Sequence, residues 1–286
     1  MGYLLIRSLR PKIRVHSWGG FGSQLNATGI ALDLKMKFPK RDLKVVIRTG
    51  GIHNANYELD FLQINEFQIS RLAIMKGTIN TIKGIKVFNT FDAKTFIKRI
   101  LIKIGVYAQC DSRAQINSLK PWIMSVRGSY NFYPSDNFIE FLLNKIDMKQ
   151  KDYDEKLCCV HYRLGDLIKL ESKNPINANL LMEQIEKINS LKNSTKFLVM
   201  SSDPEIAASR IKHNNFDIKS VYADPLEVLK KGINCRSFLG TNSKISLWIV
   251  FARLYLGLAE NFLPLEYYHF FDNNVDLKDT NKIQFY

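Results

Sequence analysis

No long, unbroken hydrophobic run occurs in this 286-residue chain. The longest apolar stretch, Ile245 to Ala259, carries Arg253 inside it and falls short of the roughly 20 apolar residues of a membrane-spanning helix. It reads as a core helix. The opening segment, Met1 to Pro11, is too short and too interrupted to span a bilayer, and it shows no small-residue cleavage site. Neither an anchor nor a signal peptide is expected there. Cysteine is scarce: Cys110, Cys158, Cys159 and Cys235 include no Cys-x-x-Cys pair. A disulfide framework is not expected in so large a core, and buried free thiols are. The five histidines form neither a His-x-x-x-His nor a His-Glu-x-x-His pattern, so no metal site is expected. No repeats or low-complexity segments occur.

Acidic residues are also in short supply, with 27 Asp and Glu against 41 Lys and Arg, a net charge of +14. Such an excess calls for an anionic partner. A basic nucleic-acid-binding protein is the alternative of a different class, because aromatic residues at 12% interleave with the lysines. Yet no nucleic-acid module is recognisable and the basic residues are spread along the chain, so no nucleic-acid partner is expected. An anionic membrane surface or a lipid-diphosphate acceptor accounts for the charge equally well. The expected location is cytoplasmic, with peripheral contact to the inner face of the membrane.

What is present suits a globular protein: 46% hydrophobic and 24% charged residues in a length that supports one large domain or two ordinary ones. Charge shifts sharply over the polar run 146–156, which reads as an interdomain linker between domains 1–150 and 151–286. Ahead of it, Ser135 to Ile146 has a cap candidate and helical apolar spacing. Behind it the pattern predicts a strand over 157–162, a helix over 178–191 and a strand over 196–200. A short strand near Val221 and a helix over 243–258 follow. Strand and helix alternate, which predicts an α/β layer architecture.

Four segments carry candidate chemistry. Leu157 to Asp166 is an apolar strand that ends in His161, Arg163 and Asp166, with Gly165 in the bend. Alternation along a strand puts His161 and Arg163 on one side and Tyr162 on the other. Ligands of open α/β sheets bind at carboxyl strand ends, and a guanidinium there suits two phosphate oxygens. The competing reading is an Arg163–Asp166 pair that merely holds a loop. Val15 to Asn26 joins a probable strand to a helix through a turn containing Gly20, Gly22 and Gln24, either a ligand-approaching loop or a tight turn. Lys196 to Pro204 is a strand running into Ser202 and Asp203, either of which suits the cap of a helix starting at Pro204. Finally, Phe238 to Trp248 brings Gly240, Thr241, Asn242, Ser243 and Ser246 to a helix start, with capping and diphosphate binding both open. Ile245 and Trp248 have core spacing.

In order and over most of the chain, these segments resemble the fucosyltransferase superfamily of GT-B fold, most closely the bacterial α-1,2-fucosyltransferases. Gly19-Gly-Phe-Gly-Ser-Gln24 is similar to that family's glycine loop, with Ser23 in place of Asn. His161-Tyr-Arg-Leu-Gly-Asp166 is similar to its His-x-Arg-Arg-x-Asp hallmark, with Leu164 in place of the second Arg. Ser201-Ser-Asp-Pro204 and Asn242-Ser-Lys-Ile-Ser-Leu-Trp248 match two later elements, and Arg127-Gly-Ser-Tyr-Asn131 echoes a Gly-Tyr-x-Gln segment.

The resemblance implies two Rossmann-type halves with the active site in the cleft between them. Residues 1–150 are then the acceptor side and 151–286 the nucleotide-sugar-binding side. It implies an inverting transfer of fucose from GDP-fucose to a hydroxyl of a glycan acceptor of the surface-polysaccharide type, the alternative being another nucleotide sugar. Arg163, His161 and Asp166 are the expected catalytic residues. Gly20, Gly22, Gln24, Ser202, Asp203, Asn242, Ser243 and Ser246 are the expected donor-binding residues. No metal or cofactor is expected, so Arg163 neutralises the leaving diphosphate, with Asp166 orienting it. Asp33, Glu58 and Asp60 are the carboxylates near the first loop, with none singled out as a base.

Overall fold

The computed structural model describes residues 12–49, 58–66, 68–73, 99–110, 113–128, 134–148, 154–169, 175–192, 196–212, 216–268, 271 and 280–286. The chain divides into two compact units, Met1–Phe138 and Ile139–Tyr286. Of the run 146–156 expected as a linker, residues 149–153 lie outside the described residues.

The first unit is built on a parallel sheet of β1 (Ile13–Trp18), β2 (Leu43–Thr49), β3 (Gln68–Ala73), β4 (Tyr107–Cys110) and β5 (Ser125–Gly128), in the order β3-β2-β1-β5-β4. Its helices include α1 (Phe21–Lys37), α2 (Arg113–Ser118) and α3 (Asp136–Lys145), the last straddling the division between units, and a short helical turn at 99–103. Ile13 and Val15 of β1, Val45 and Ile47 of β2 and Ile30 and Leu34 of α1 share one core. Helix α3 begins where the capping pattern predicts, with Ser135 Oγ accepting from the Phe138 N–H at 3.2 Å.

In the second unit, β6 (Asp154–His161), β7 (Lys196–Ser201), β8 (Asp217–Tyr222), β9 (Cys235–Gly240), β10 (Asn261–Leu263) and β11 (Ile283–Phe285) form a parallel sheet ordered β11-β10-β9-β6-β7-β8. Counted from β6, that is the doubly wound order 3-2-1-4-5-6 of a Rossmann half. The helices are α4 (Gly165–Lys169), α5 (Ala178–Lys192), α6 (Pro204–Arg210), α7 (Pro225–Ile233) and α8 (Lys244–Tyr255). Cys158 packs with Leu181 and Ile185 of α5, while Cys159 Sγ reaches the Lys231 carbonyl of α7 at 3.3 Å. Adjacent cysteines thus face opposite helical layers, as strand alternation requires, and all four cysteines are buried and free. The α/β class, expected from the alternation of elements, and the two Rossmann-type halves, implied by the resemblance, are the architecture of the chain.

Arg253 explains how a charge sits inside the most apolar helix. It is fully buried on α8, and its Nε donates to Asn261 Oδ1 at 2.6 Å. Nη1 donates to the carbonyls of Gly232, Ile233 and Cys235, and Nη2 to those of Arg236 and Ala259. The first two are carbonyls left open at the C-terminus of α7. One guanidinium therefore joins α7, the start of β9 and the turn after α8. No helix among the described residues is long and apolar enough to cross a membrane.

Candidate active site

Sheet order decides where a ligand can enter. In the second unit the order reverses between β6 and β9, and ligands of open α/β sheets bind at such a switch point, outside the carboxyl ends of the strands. His161 and Gly240 are register partners there, with Met200 of β7 on the other side of His161. The polar groups of three expected segments thus emerge side by side.

Thr241 knits the loops after β6 and β9 together. Its Oγ1 donates to the His161 carbonyl at 2.8 Å and accepts the Arg163 N–H at 3.1 Å. Arg163 is half-buried, and its Nη1 donates to the Asn242 carbonyl at 3.4 Å. Asn242 Oδ1 accepts from the Tyr267 hydroxyl at 3.2 Å, which leaves its exposed NH₂ as a donor. Burial, then the charge of Glu266, pushes the Tyr267 hydroxyl above its ordinary range, against the opposing pull of Arg163 and a main-chain N–H at Ser243. It stays a neutral donor. Tyr267 was not singled out by sequence reasoning, since a tyrosine in an aromatic-rich C-terminal segment carries no motif.

His161 lies buried with Nδ1 2.9 Å from Ser246 Oγ. Burial, helped by the charge of Arg163, lowers its pKa to about 3. The imidazole is therefore neutral at physiological pH, and through Ser246 it ties α8 to the end of β6. Ser246 is fully buried. Ser243 caps α8, its Oγ accepting from the Ile245 N–H at 3.2 Å. The start of α8, with its positive dipole end, therefore lies beside Asn242 and Arg163.

Helix α6 starts at Pro204 with Asp203 at the N-cap position, yet the Asp203 side chain makes no cap bond. This corrects the capping expectation: the carboxylate turns instead to Ser202, whose Oγ donates to Asp203 Oδ2 at 3.0 Å. Asp224, by contrast, caps α7 through the Glu227 N–H at 2.8 Å. Gly165 meets this segment closely, since a Cβ there would lie 2.8 Å from Ser202 Oγ. Asp166 falls in α4, but its side chain lies outside the described residues.

In the first unit, the order reverses between β1 and β5, and the glycine loop leaves β1 at that point. Gly19 holds a φ of 102°, a left-handed conformation that favours glycine. Gly20 is the N-cap residue of α1, and Gly22 and Gln24 are buried on its first turns. Gln24 Oε1 accepts from the Glu58 N–H at 2.9 Å. Glu58 in turn accepts from the Phe21 N–H, standing in for the cap side chain that Gly20 lacks. Burial raises its pKa above the ordinary carboxyl value, and a carboxyl so placed suits proton exchange. Asp33 is buried on α1 and Asp60 is exposed at the start of a short 3₁₀ turn. In the Arg127–Asn131 echo, residues 129–131 lie outside the described residues.

The expectation of no metal motif needs one correction. Asp152-Tyr153-Asp154 has the Asp-x-Asp spacing by which many sugar transferases hold a cation. Asp154 opens β6, and seven strand steps of about 3.3 Å put it about 23 Å from His161, at the wrong end of the strand. Asp152 lies outside the described residues.

No protein-family model matches the chain, and no curated protein matches its sequence. Among solved structures, the chain is similar to a UDP-GlcNAc 2-epimerase from Methanocaldococcus jannaschii, with 11% identity and a TM-score of 0.46 over 96% of this chain and 89% of that one. It is also similar to a glycosyl transferase family 9 structure from Veillonella parvula, with 9% identity and a TM-score of 0.40 over 89% and 80% of the two chains.

Proposed function

We propose that the chain is an inverting glycosyltransferase of GT-B type that transfers a sugar from a nucleotide diphosphate donor, with GDP-fucose as the leading donor, to a glycan hydroxyl. The observation that carries this reading is Arg163 at the switch point of the second sheet, beside Asn242 and the start of α8. In this reading the diphosphate sits against the Arg163 fork and the positive dipole end of α8. The Asn242 NH₂ adds a third donor.

The acceptor hydroxyl attacks the anomeric carbon as the sugar–phosphate bond breaks, and negative charge grows on the departing diphosphate. Arg163 meets that charge without reorganisation, the arrangement by which preorganised donors lower a barrier. Glu58, beside the glycine loop of the first unit, is a carboxyl with the chemistry to receive a proton from an acceptor hydroxyl. Asp203 reads the base, because guanine presents two adjacent donors that one carboxylate accepts together. The acceptor is a glycan of the surface-polysaccharide type, carried on a lipid diphosphate, and Arg163 with backbone donors fills the place of a cation.

A nucleotide panel tests the reading. GDP should raise the melting temperature, UDP less so, and oligonucleotides not at all, while turnover of GDP-fucose persists in excess chelator. Stabilisation by oligonucleotides but not GDP would establish the nucleic-acid alternative. Abolition of turnover by chelator, with rescue by magnesium or manganese, would defeat the metal-independent mechanism.

A further inference from the structure

The first unit carries an apolar surface that its fold does not use. Residues 99–103 form a helical turn that ends at Gly105, whose φ of 75° closes it: Gly105 N–H bonds to Ile102 O and Val106 N–H to Leu101 O. This reciprocal pair is the Schellman closure. The turn leads into β4, an edge strand of the sheet. Ile100, Ile102, Ile104, Trp122 and Met124 are each 40–55% exposed here. Isolated exposed apolar residues need no explanation, but a group that lines one groove does.

Three of them are contiguous. Ile102, Ile104 and Trp122 line one open groove of about 360 Å³, and Met124 is tied to Val106 by its main-chain N–H. Trp122 Nε1 donates to the Ile104 carbonyl at 2.8 Å, so the indole is held in place with its ring partly in solvent. Lys103 and Lys120 line the same groove, and Arg99 is exposed at the start of the turn. Between residues 99 and 124 the sequence has four basic residues, Arg99, Lys103, Arg113 and Lys120, against one acid, Asp111. A tryptophan, isoleucines and lysines on one face have the composition of an interfacial membrane contact. A second copy of the chain is a poorer fit, because a symmetric contact would set these like charges against themselves.

We infer that this face of the first unit, centred on Ile102, Ile104 and Trp122 and rimmed by Arg99, Lys103 and Lys120, docks on an anionic lipid bilayer. The isoleucines and the indole enter the headgroup boundary while the basic side chains meet lipid phosphates. Docking does not depend on the chemistry of the second unit.

The test is flotation of the full chain with vesicles of phosphatidylcholine alone and of phosphatidylcholine mixed with phosphatidylglycerol. Binding should require the anionic lipid and weaken with salt. Lys103→Gln should lower the partition coefficient about fivefold, the usual weight of one basic residue at such a surface. Ile102→Ser with Trp122→Ser should lower it more than tenfold. Lys187→Gln, an exposed control on α5, should change it little. Equal partition of the Ile102/Trp122 double variant and the parent, both folded by circular dichroism, would overturn the inference. So would equal binding to both vesicle types. A parent that ignores vesicles but sediments as a dimer, with the dimer lost in the double variant, would assign the face to self-association instead. GDP-induced stabilisation, measured in the same variants, reports separately on the nucleotide site.

Discussion

At the scale of single residues, Arg163 and Asp203 separate binding chemistry from scaffolding. Arg163 is half-buried and holds the Asn242 carbonyl through one nitrogen. If it meets charge that grows as the diphosphate leaves, Arg163→Ala should lower kcat about 10²–10³-fold, as loss of an oxyanion donor does. Lysine should rescue poorly, since a point charge does not reproduce a fork. An inactive variant that is also unfolded would return Arg163 to a structural role. Asp203 makes no cap bond, so its replacement has little to cost the helix. Asp203→Asn should weaken GDP binding by roughly 1.5–3 kcal/mol, the weight of a charge-assisted hydrogen bond, with almost no change in melting temperature. Unchanged GDP affinity in titration calorimetry would remove Asp203 from the base pocket. Ser243, Ser246 and Gln24 each make a contact within the scaffold: one caps α8, one binds His161, and one pins the Glu58 backbone. Residue type suggested a polar contact for each, but the chosen partner depends on what the fold brings within 3 Å.

At the scale of elements, the tightest joint is the end of β9. A Cβ on Gly240 would lie 2.8 Å from Ser246 Cβ, 2.9 Å from Leu263 Cδ2 and 2.9 Å from Phe238 Cε1. Those atoms belong to α8, β10 and β9 itself, so the helix that presents Asn242 and Ser243 is set by an approach only glycine permits. Gly240→Ala should destabilise the protein by about 1–3 kcal/mol through overpacking, read from urea unfolding. It should also loosen GDP binding, because α8 must shift. Full stability in the alanine variant would show that the joint has slack. The strand and helix periods near this joint were legible: the helix expected over 243–258 is Lys244–Tyr255, and the strand expected over 157–162 is Asp154–His161. The stretch that carries Arg253 was read correctly as a core helix. The carbonyls that satisfy it were not legible, since they come from residues 232–236 and 259, gathered only by the turn of α7 into β9.

At the scale of the whole molecule, folding is linked to pH through His161. Its pKa is about 3 in the folded chain against about 6.5 unfolded, because burial and Arg163 both disfavour the charged ring. Between those values the unfolded chain binds a proton that the folded chain does not. This contribution to stability is therefore complete above about pH 6.5 and falls by about 1.4 kcal/mol per pH unit on acidification toward pH 4. His161→Gln should remove that slope, so urea unfolding at several pH values should show two curves that converge as pH falls. Parallel curves would mean that the ring titrates normally. The sequence by itself determined the α/β class, the strands β6, β7 and β8 and the helices α5 and α8 of the second unit, and the basic charge, because periodicity, turn chemistry and composition are local properties of the chain; the strands β9, β10 and β11 and the helix α7 were not read from it. It also marked His161, Arg163, Asp203 and Asn242 as polar groups at strand and helix ends. Which strands stand next to each other was decided only by the tertiary structure. The order β8-β7-β6-β9-β10-β11 sets β6 beside β9, although more than seventy residues separate their facing ends. That pairing brings Arg163 to Asn242, Thr241 between two loops, and Tyr267 to Asn242, because only packing of the sheet between two helical layers places distant carboxyl ends side by side.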